Sequence, residues 1–503
     1  MNILFALAIA IPTATNSNAT TMVAPTIELT YPATVTDSVT GPVYVMFTES
    51  RRRDPSQGPD WFSPEPFYRV DVTDWAPGEV LSLGPDTAGY PTPLGELESG
   101  RWRVQAVMRT DLDTASIAGG DAVLSEIKMV HHGEAEAWPL ALSIDEVSLR
   151  SEPYQPEGTA VLSQRSELLS NFYGRDIDMR AVAFFPKAFD AEADRNWPVL
   201  YVIGGFAGSL DEAPFAQMMW GDPERNQDYV VVYLEGECGS GHHVFADSAN
   251  NGPRGQALVE EFIPWLESKY PLVQSPDGRL LTGHSSGGWS SLWLQVTYPE
   301  FFGGTWSTAP DPVNFHAFQQ IDIYADGANA YHQADGTRIA VARNRRGKPR
   351  LFMDDFCAME EAIGDGGQIR SFEWVFSPRG DDGRPRPLFD RTTGDIDPEV
   401  AEAWKAYDIA YILQENWETL GPKLQGKIHV YMGDADTFYL DGATRLLKAQ
   451  MAELKTDAVV TIIPGDHSSI LFGKLRNTIR DDMVTTLNSE AQPVAESSGR
   501  AID

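Results

Sequence analysis

The sequence predicts a chain in two parts, an all-β N-terminal part followed by a larger α/β part built on a doubly wound, mostly parallel sheet. Residues 23–150 hold short β-like apolar runs separated by turn residues, without helical periodicity. From residue 151 to 487, strand-like apolar runs alternate with helix-length amphipathic segments, as a parallel sheet with crossover helices requires. The length of 503 residues leaves room for both parts.

The N-terminal part has four clear strand candidates, at residues 43–47, 68–72, 102–107 and 122–124. Alternation of apolar and polar residues in the second and third of them predicts strands with one face in water. Short strands at this spacing predict a β-sandwich of immunoglobulin-like kind. Four aromatic residues of this part either pack in a core or against the neighbouring part, or form a sugar-binding face: Trp61, Phe62, Phe67 and Trp75.

The α/β part has seven strand candidates, at 182–185, 199–203, 229–234, 279–282, 305–307, 428–431 and 459–463. Between the third and the fourth, Leu258, Phe262 and Leu266 give a helix one apolar stripe. Pro264 is expected to kink that helix. Residues 312–402 break the alternation and are rich in Gly, Asp, Arg and Pro. A segment of this length predicts an insertion over the active-site end of the sheet.

The first 22 residues predict a secretory signal peptide. An apolar run at residues 3–11 is too short to span a bilayer, and the small-residue sequence Ser17-Asn18-Ala19 follows it. No Lys or Arg precedes the run, and the alternative is a buried N-terminal strand. No later segment is apolar enough to cross a membrane. We therefore expect a secreted or periplasmic protein without an integral membrane segment, ending in a disordered tail at 488–503.

The composition excludes several classes of function. The 39 basic and 72 acidic residues give a formal charge of −33, which repels nucleic-acid backbones and anionic membranes. A hydrophobic fraction of 42% supports a large core and argues against a disordered chain or a fibre. The only two cysteines, Cys238 and Cys357, form one disulfide or remain two free thiols, and no CxxC pair is present for zinc.

The pentapeptide Gly283-His284-Ser285-Ser286-Gly287 fits the pattern GxSxG. It lies between the strand candidate 279–282 and the start of a helix, an arrangement that exposes a serine hydroxyl above the edge of a sheet. Glycines permit the tight turn, and the helix N-terminus favours developing negative charge. Ser285 is therefore the predicted nucleophile.

A nucleophilic serine needs a histidine base and a carboxylate that orients the base, and in this arrangement both follow later strands, the acid first. His467 is the one histidine that lies downstream of the candidate acids and at a strand end. Asp434 and Asp436 follow the strand at 428–431, and because they are two residues apart only one can face the histidine. Asp466 is adjacent to His467 and badly placed to hold it.

An oxyanion hole needs two backbone N–H donors. One is expected from Ser286, directly after the nucleophile. The second is expected after the strand at 199–203, where two glycines let the backbone turn toward a substrate, and either Phe206 or Ala207 supplies it. A plain glycine-rich turn is the alternative.

The other histidines are interpreted as structural. His284 adjoins the nucleophile and is expected to pack or line the turn, and His429 lies inside a strand pattern. The pairs His131-His132 and His242-His243 point apart on a strand and have no acidic partner at a suitable spacing. No metal site and no organic cofactor is predicted.

Together these residues resemble the putative-esterase (esterase D-like) family of α/β-hydrolases, which includes feruloyl and acetyl xylan esterases, S-formylglutathione hydrolases, enterochelin esterases and mycolyltransferases. Three blocks carry the resemblance: 197–205 is similar to the strand PVLYxxHG, 283–288 with 298–302 to GxSxGG…YPExF, and 433–439 to GxxDxF. It extends in order from about Leu168 to Thr486, with Gly204 where the family usually has histidine. It implies the α/β-hydrolase fold and favours Asp436 as the orienting acid.

The predicted function is a serine ester hydrolase that forms an acyl-enzyme on an acyl or aryl ester, an ester on a saccharide being one option. An acyltransferase with the same triad is the nearest alternative. A catalytically silent binding protein conflicts with the intact order of Ser, Asp and His. Six basic residues gather in the insertion and are either solvated or placed to meet an anionic substrate: Arg338, Arg343, Arg345, Arg346, Lys348 and Arg350.

Overall fold

The computed structural model of the chain describes residues 24–490, apart from 134–136, 151–152, 154 and 193. The predicted signal peptide at 1–22 lies outside the described residues, as does the tail beyond residue 490. The last helix reaches Glu490. Residues 488–490 are therefore helical, whereas the sequence predicted that they belong to a disordered tail.

Among the described residues the N-terminal part has nine strands, eight of which pair along one continuous path. These strands are β1 (Ile27–Thr30), β2 (Val39–Thr48), β3 (Phe67–Trp75), β4 (Leu81–Leu83), β5 (Gly89–Tyr90), β6 (Gly100–Arg109), β7 (Ala122–Ser125), β8 (Lys128–His132) and β9 (Leu140–Ser148). Their order is β4-β1-β9-β7-β6-β2-β3-β5, and β8 also pairs with β6. Among the described strands of this part, β1 and β9 alone run parallel. The immunoglobulin-like sandwich stays a prediction.

Strand β6 does not have the wet face that its alternation predicts. Residues 104–109 are all buried. Val104 and Met108 pack in the core of the N-terminal part, whereas Val107 joins a second apolar cluster that also contains Phe356 of the insertion. The second face of β6 is dry because the α/β part covers it.

The α/β part has fourteen strands among the described residues. They are β10 (Thr159–Arg165), β11 (Asp178–Phe184), β12 (Val199–Ile203), β13 (Val230–Leu234), β14 (Glu237–Cys238), β15 (Gly241–His242), β16 (Asp247–Ser248), β17 (Gly252–Pro253), β18 (Arg279–His284), β19 (Gly304–Thr308), β20 (Ala340–Arg343), β21 (Pro349–Phe352), β22 (Ile428–Gly433) and β23 (Val459–Ile463). Eight of them form the main sheet in the order β10-β11-β13-β12-β18-β19-β22-β23.

In that sheet β10, β11 and β13 are joined by antiparallel pairings, and every other pairing is parallel. The helices are α1 (Glu167–Tyr173), α2 (Ala213–Ala216), α3 (Arg254–Ala257), α4 (Ile263–Lys269), α5 (Ser286–Thr297), α6 (Met353–Ile363), α7 (Gln368–Phe376), α8 (Pro398–Trp404), α9 (Ile409–Leu424), α10 (Asp441–Glu453) and α11 (Lys474–Glu490). Two separate apolar clusters cover the two faces of the sheet, one with α1, α3 and α4 and one with α2 and α11. This is the doubly wound arrangement of the α/β-hydrolase fold. No helix within the described ranges is long and apolar enough to cross a membrane.

The helix that contains Pro264 includes a π-helical segment just before the proline. Residues Leu258–Phe262 form a π-helix between α3 and α4, and Pro264 lies in the first turn of α4. A proline is tolerated there because its missing N–H is not needed by the helix that it begins. The apolar stripe is kept, since Leu258, Phe262 and Leu266 are all buried.

The predicted insertion at 312–402 is a folded unit between β19 and β22. It contains the hairpin β20–β21 and the helices α6, α7 and α8. Its contact with the N-terminal part includes two hydrogen bonds to one carbonyl: the Tyr44 hydroxyl at 2.9 Å and Arg69 Nη1 at 2.8 Å both donate to Ile363 O at the end of α6. A cation at a helix C-terminus is favourable, so Arg69 helps to hold the insertion against the N-terminal sheet.

Candidate active site

Ser285 lies at the turn between β18 and α5, as predicted. Its backbone has φ 59° and ψ −124°, a conformation that residues other than glycine rarely adopt. The turn is held from both sides: Ser285 N donates to Thr308 O at 3.1 Å, and Asp311 N donates to Ser285 O at 3.2 Å. The strain is therefore fixed by the neighbouring strand β19.

The two outer glycines of the pentapeptide are required by close packing. A Cβ at Gly283 would meet the carbonyl oxygen of Gly287 at 2.1 Å, and a Cβ at Gly287 would meet Ile203 O at 2.1 Å. Both distances are far below any contact that a carbon atom tolerates. The glycines thus let strand, turn and helix approach closely enough to raise Ser285 at the edge of the sheet.

His467 and Asp436 form a buried pair. His467 Nδ1 donates to Asp436 Oδ2 at 2.7 Å, and Asp436 is fully buried. Its other oxygen, Oδ1, accepts from Phe438 N at 2.8 Å and Leu440 N at 3.3 Å. These bonds fix the carboxylate, which in turn fixes the imidazole and leaves Nε2 available for proton transfer.

The structure separates Asp436 from the two neighbouring candidates. Asp434 is exposed and accepts from Gly465 N at 3.1 Å. Asp466 is paired with Arg345, and this hydrogen bond lowers the pKa of Asp466 to about 2. Neither of these carboxylates is bonded to His467.

The turn after β12 carries the two backbone N–H groups that the sequence offers as the second oxyanion donor. Gly208 N donates to Gly205 O at 3.0 Å, which closes a turn with Phe206 and Ala207 at its centre. Ala207 has a φ of 54°. Neither central N–H is used in closing the turn. Ser286 is the first residue of α5, so its N–H has no acceptor within the helix.

A carboxylate that the sequence analysis missed, Asp311, lies beside the nucleophile. Ser286 Oγ donates to Asp311 Oδ2 at 2.5 Å and Ser285 Oγ to Oδ1 at 3.5 Å. Burial raises the pKa of Asp311 to about 6, against the lowering effects of Ser286 and of the charge on His467. Its position is a usable sequence signal, because Asp311 follows the end of β19 by the same three residues that separate Asp436 from the end of β22.

His284 packs on the predicted base without competing for its proton. The two imidazole rings are 4.6 Å apart. The Thr308 hydroxyl donates to Gly283 O at 2.8 Å, so His284 Nδ1 must be the donor in its 3.2 Å contact with Thr308 Oγ1. Burial, with the neighbouring His467, holds the pKa of His284 well below its usual range. His284 is therefore neutral at neutral pH.

Three of the six basic residues of the insertion form ion pairs within the described part of the chain, namely Arg338, Arg343 and Arg345. Arg343 Nε donates to Asp436 O at 2.8 Å, and its Nη2 donates to Asp441 Oδ1 at 2.6 Å. Arg338 is bonded to Asp354. Arg343 thus supports the backbone of the loop that carries Asp436, a role that the sequence did not predict.

Other predicted features lie away from the nucleophile. His242 and His243 are buried, and burial lowers the pKa of each. Over the described part of the chain no cluster of three or more His, Cys, Asp or Glu is suited to a metal ion. Cys238 and Cys357 are both buried free thiols, which decides between the two alternatives for the cysteines.

A cavity of about 60 Å³ opens at Ser285. Six of the side chains that line it are Trp61, Phe206, Asp311, Gln319, Gln368 and Phe438. The fold and the site together define a serine hydrolase: a serine on a strained strand–helix turn, a buried His–Asp pair after the last two strands, and backbone donors at a glycine-rich turn.

The chain belongs to the putative esterase family, whose model matches residues 175–469, more than half of the chain. This match includes Ser285, Asp436 and His467. By class the chain is a serine carboxylic-ester hydrolase.

The solved structures to which the chain is similar are distant in sequence. They include the fluorophosphonate-binding serine hydrolase FphF of Staphylococcus aureus (12% identity, 66% of this chain and 100% of that chain, TM-score 0.40). An S-formylglutathione hydrolase from Agrobacterium tumefaciens is 14% identical over 66% of this chain and 96% of its own, with a TM-score of 0.39. A ferulic acid esterase from Anaeromyces mucronatus is 11% identical over 67% and 95%, with a TM-score of 0.33. The comparison with curated proteins gave no match.

Proposed function

We propose that the chain hydrolyses carboxylic esters with Ser285 as nucleophile, His467 as base and Asp436 as the acid that orients the base. His467 Nε2 takes the proton of the Ser285 hydroxyl while Oγ attacks the ester carbonyl carbon. The tetrahedral oxyanion is held by Ser286 N–H and by the N–H of Phe206 or Ala207. His467 then gives its proton to the leaving alcohol, and an acyl-enzyme remains.

Water completes the cycle in the same site. His467 removes a proton from a water molecule, the hydroxide adds to the acyl carbon, and the acid leaves as Ser285 regains its proton. Asp311 adds an anion beside His467, and an anion there stabilises the imidazolium that forms in both steps. The substrate is an acyl or aryl ester, and an ester carried by a saccharide is the narrower form of the proposal.

The observation that carries this proposal is the 2.7 Å bond between His467 Nδ1 and the fully buried Asp436. A buried carboxylate is costly unless it is hydrogen-bonded and paired, and the bonds to both oxygens of Asp436, one of them from His467, offset that cost. Its placement after β22, followed by the histidine after β23 and combined with the strained Ser285, matches the requirements of acyl transfer to serine. We further propose secretion or a periplasmic location, on the basis of the apolar run at residues 3–11 alone.

Labelling with a fluorophosphonate probe tests the proposal. The folded protein is expected to be labelled at Ser285, as peptide mapping would show, and Ser285→Ala should abolish labelling. Ser291→Ala is the matched control, because Ser291 lies in the same helix and donates to Gly288 O at 3.0 Å. Absence of labelling in the folded protein would refute the proposal. Product analysis with added sugar acceptors separates hydrolysis from acyl transfer.

A further inference from the structure

The N-terminal part reaches into the cavity at Ser285. The connection between β2 and β3, residues 49–66, carries Trp61, and Trp61 lines the same cavity as Ser285. The indole is 5.1 Å from the ring of Phe356 and 5.7 Å from the ring of Phe206, centroid to centroid. One wall of the site thus comes from outside the α/β-hydrolase fold.

The next residue of this connection contacts the opposite side of the site. The Phe62 ring stacks on Phe438 with centroids 6.4 Å apart. Phe438 in turn meets the imidazole of His467 edge-on at 4.9 Å. Arg350 lies 4.4 Å above the Phe62 ring. Trp61 and Phe62 therefore bridge the side of the cavity formed by the turn after β12 and the side formed by the loop after β22.

Hydrogen bonds hold the connection in place. Asp60 Oδ1 accepts from Phe62 N at 2.8 Å and from Ser63 N at 3.0 Å, which fixes the turn that presents Trp61. Farther along, Arg103 Nη1 donates to Ser50 O at 2.9 Å and to Arg53 O at 2.6 Å. A wall that is fixed by such bonds restricts the size of what binds behind it.

The cavity behind this wall is small. Its volume is about 60 Å³. Pockets for drug-sized ligands occupy about 300–1,000 Å³. The side chains of Asp311, Gln319 and Gln368 also line the space, so a long alkyl chain would lie against polar groups to which it cannot hydrogen-bond.

A larger apolar cavity of about 300 Å³ is close by but does not include Ser285. It is lined by Gly204, Gly205, His284 and Trp220 among others, and it shares no lining residue with the cavity at Ser285. The acyl carbon must bond to Ser285 Oγ, and of these two cavities only the small one contains that residue.

We propose that Trp61 determines specificity: as the wall of the acyl pocket it restricts the substrate to esters of short acyl groups, of about two or three carbon atoms. The N-terminal part is accordingly a component of the active site. This inference rests on the proposed esterase function and narrows its substrate class.

The test compares the acetyl, butanoyl and octanoyl esters of p-nitrophenol. The wild-type protein is expected to have a kcat/KM for the acetate about 100-fold or more above that for the octanoate, since a single methylene that the pocket does not fit costs roughly tenfold or more. Trp61→Ala should reduce this ratio at least about tenfold, and Trp61→Phe should give an intermediate ratio. The measured quantity is the ratio of kcat/KM for the acetate to kcat/KM for the octanoate. Trp61 also contacts Phe206 in the turn after β12, and a general disturbance of that turn would lower kcat/KM for both esters and leave their ratio unchanged.

Trp374→Ala is the matched control. Trp374 is also half-buried, donates from Nε1 to Asp365 Oδ1 at 3.1 Å and does not line the cavity at Ser285. Its variant should keep the wild-type ratio. An unchanged ratio in a Trp61→Ala protein with native melting behaviour would overturn the inference, and so would a wild-type protein that hydrolyses octanoate as well as acetate.

The failure of this inference is distinguishable from failure of the proposed function. If the fluorophosphonate labels Ser285 and the ratio does not respond to Trp61, only the acyl-pocket assignment falls. If Ser285 is not labelled at all, the esterase proposal falls and this inference falls with it. If Trp61→Ala does not fold, the inference is still tested by the acetate-to-octanoate ratio of kcat/KM in the wild-type protein and in Trp61→Phe.

Discussion

Asp434 and Asp436 are two residues apart, yet the fold places them in opposite environments. Asp434 is exposed, whereas Asp436 is fully buried and bonded to His467. Residue spacing left both open because the path of a loop is not periodic, so a pattern cannot say which side chain turns inward. The resemblance favoured the acid that the structure pairs with the histidine.

Asp436→Asn is expected to reduce kcat by orders of magnitude, about 10⁴-fold for an equivalent change in serine proteases, because the amide holds the wrong imidazole tautomer. Asp434→Asn should stay within a few-fold of wild type. The measurement is kcat on p-nitrophenyl acetate, with thermal melting of both variants to show that they fold. Near-full activity of Asp436→Asn would show that another group orients the histidine.

The sequence did not indicate Asp311, because the chain order expected for a triad places the acid after a later strand and the strand at 428–431 offers two aspartates there. In the folded chain burial raises the pKa of this carboxyl from an ordinary value of 3.8 to about 6. Between these two pH values the folded chain binds more protons than the unfolded chain, so stability falls as the pH rises through this window. Above it, keeping the buried carboxyl ionised costs about 3 kcal/mol at most.

Asp311→Asn is therefore expected to be more stable than wild type at pH 8, by up to about 3 kcal/mol, and to lose that advantage at pH 4. Turnover at pH 8 should fall, because the change removes an anion beside the imidazolium of His467. The free energy of unfolding in urea and kcat, measured on the same preparations, check the expected gain in stability and the expected loss of turnover. Asp434→Asn is the exposed control. A variant that loses stability and activity together at pH 8 would assign Asp311 a purely structural role.

At the scale of elements, the sequence predicted two strands of the main sheet with their bounds. The run at 199–203 coincides with β12, a central strand whose five residues are all buried, because such a strand is a continuous apolar run with clear ends. The run at 459–463 coincides with β23, although β23 is the edge strand and only Val460 in it is buried. The helix around Pro264 was harder. Its stripe was correct, but its backbone changes from α to π and back, and hydrophobic periodicity carries no signal for a change in hydrogen-bond register.

The long insertion shows a related limit. Its composition indicated a departure from the alternating pattern but not the helices α6 to α8 that it forms. These helices are stabilised by contacts with distant segments, such as Tyr44 and Arg69 on the carbonyl of Ile363. Propensity is a weak guide where tertiary packing decides the structure.

At the scale of the molecule, the two parts share one apolar core, which the sequence did not predict. Val107 on β6 and Phe356 on α6 belong to the same apolar cluster. A sequence shows that a residue is apolar, but it does not distinguish the core of one part from a surface that another part covers. For the same reason the aromatic residues of the N-terminal part stayed ambiguous. Trp61 and Phe62 proved to pack at the active site, and the sugar-binding alternative stays a prediction without a contact that favours it.

The net charge of −33 has a consequence for the whole molecule. With 39 cationic and 72 anionic residues, many anions have no cation to pair with, and their mutual repulsion opposes the compact state. Salt reduces the range of that repulsion from about 10 Å at 0.1 M to about 3 Å at 1 M.

The melting temperature is therefore expected to rise as NaCl increases from 0.05 to 1 M at pH 8. Near the isoelectric point of about 4.5 the repulsion is balanced, so salt should there only weaken attractive pairs such as Arg165 with Asp176 and leave the melting temperature unchanged or lower. Scanning calorimetry in NaCl and KCl at both pH values checks this reversal. An equal rise in the melting temperature at both pH values would mean that salt acts by strengthening apolar burial and not by screening charge.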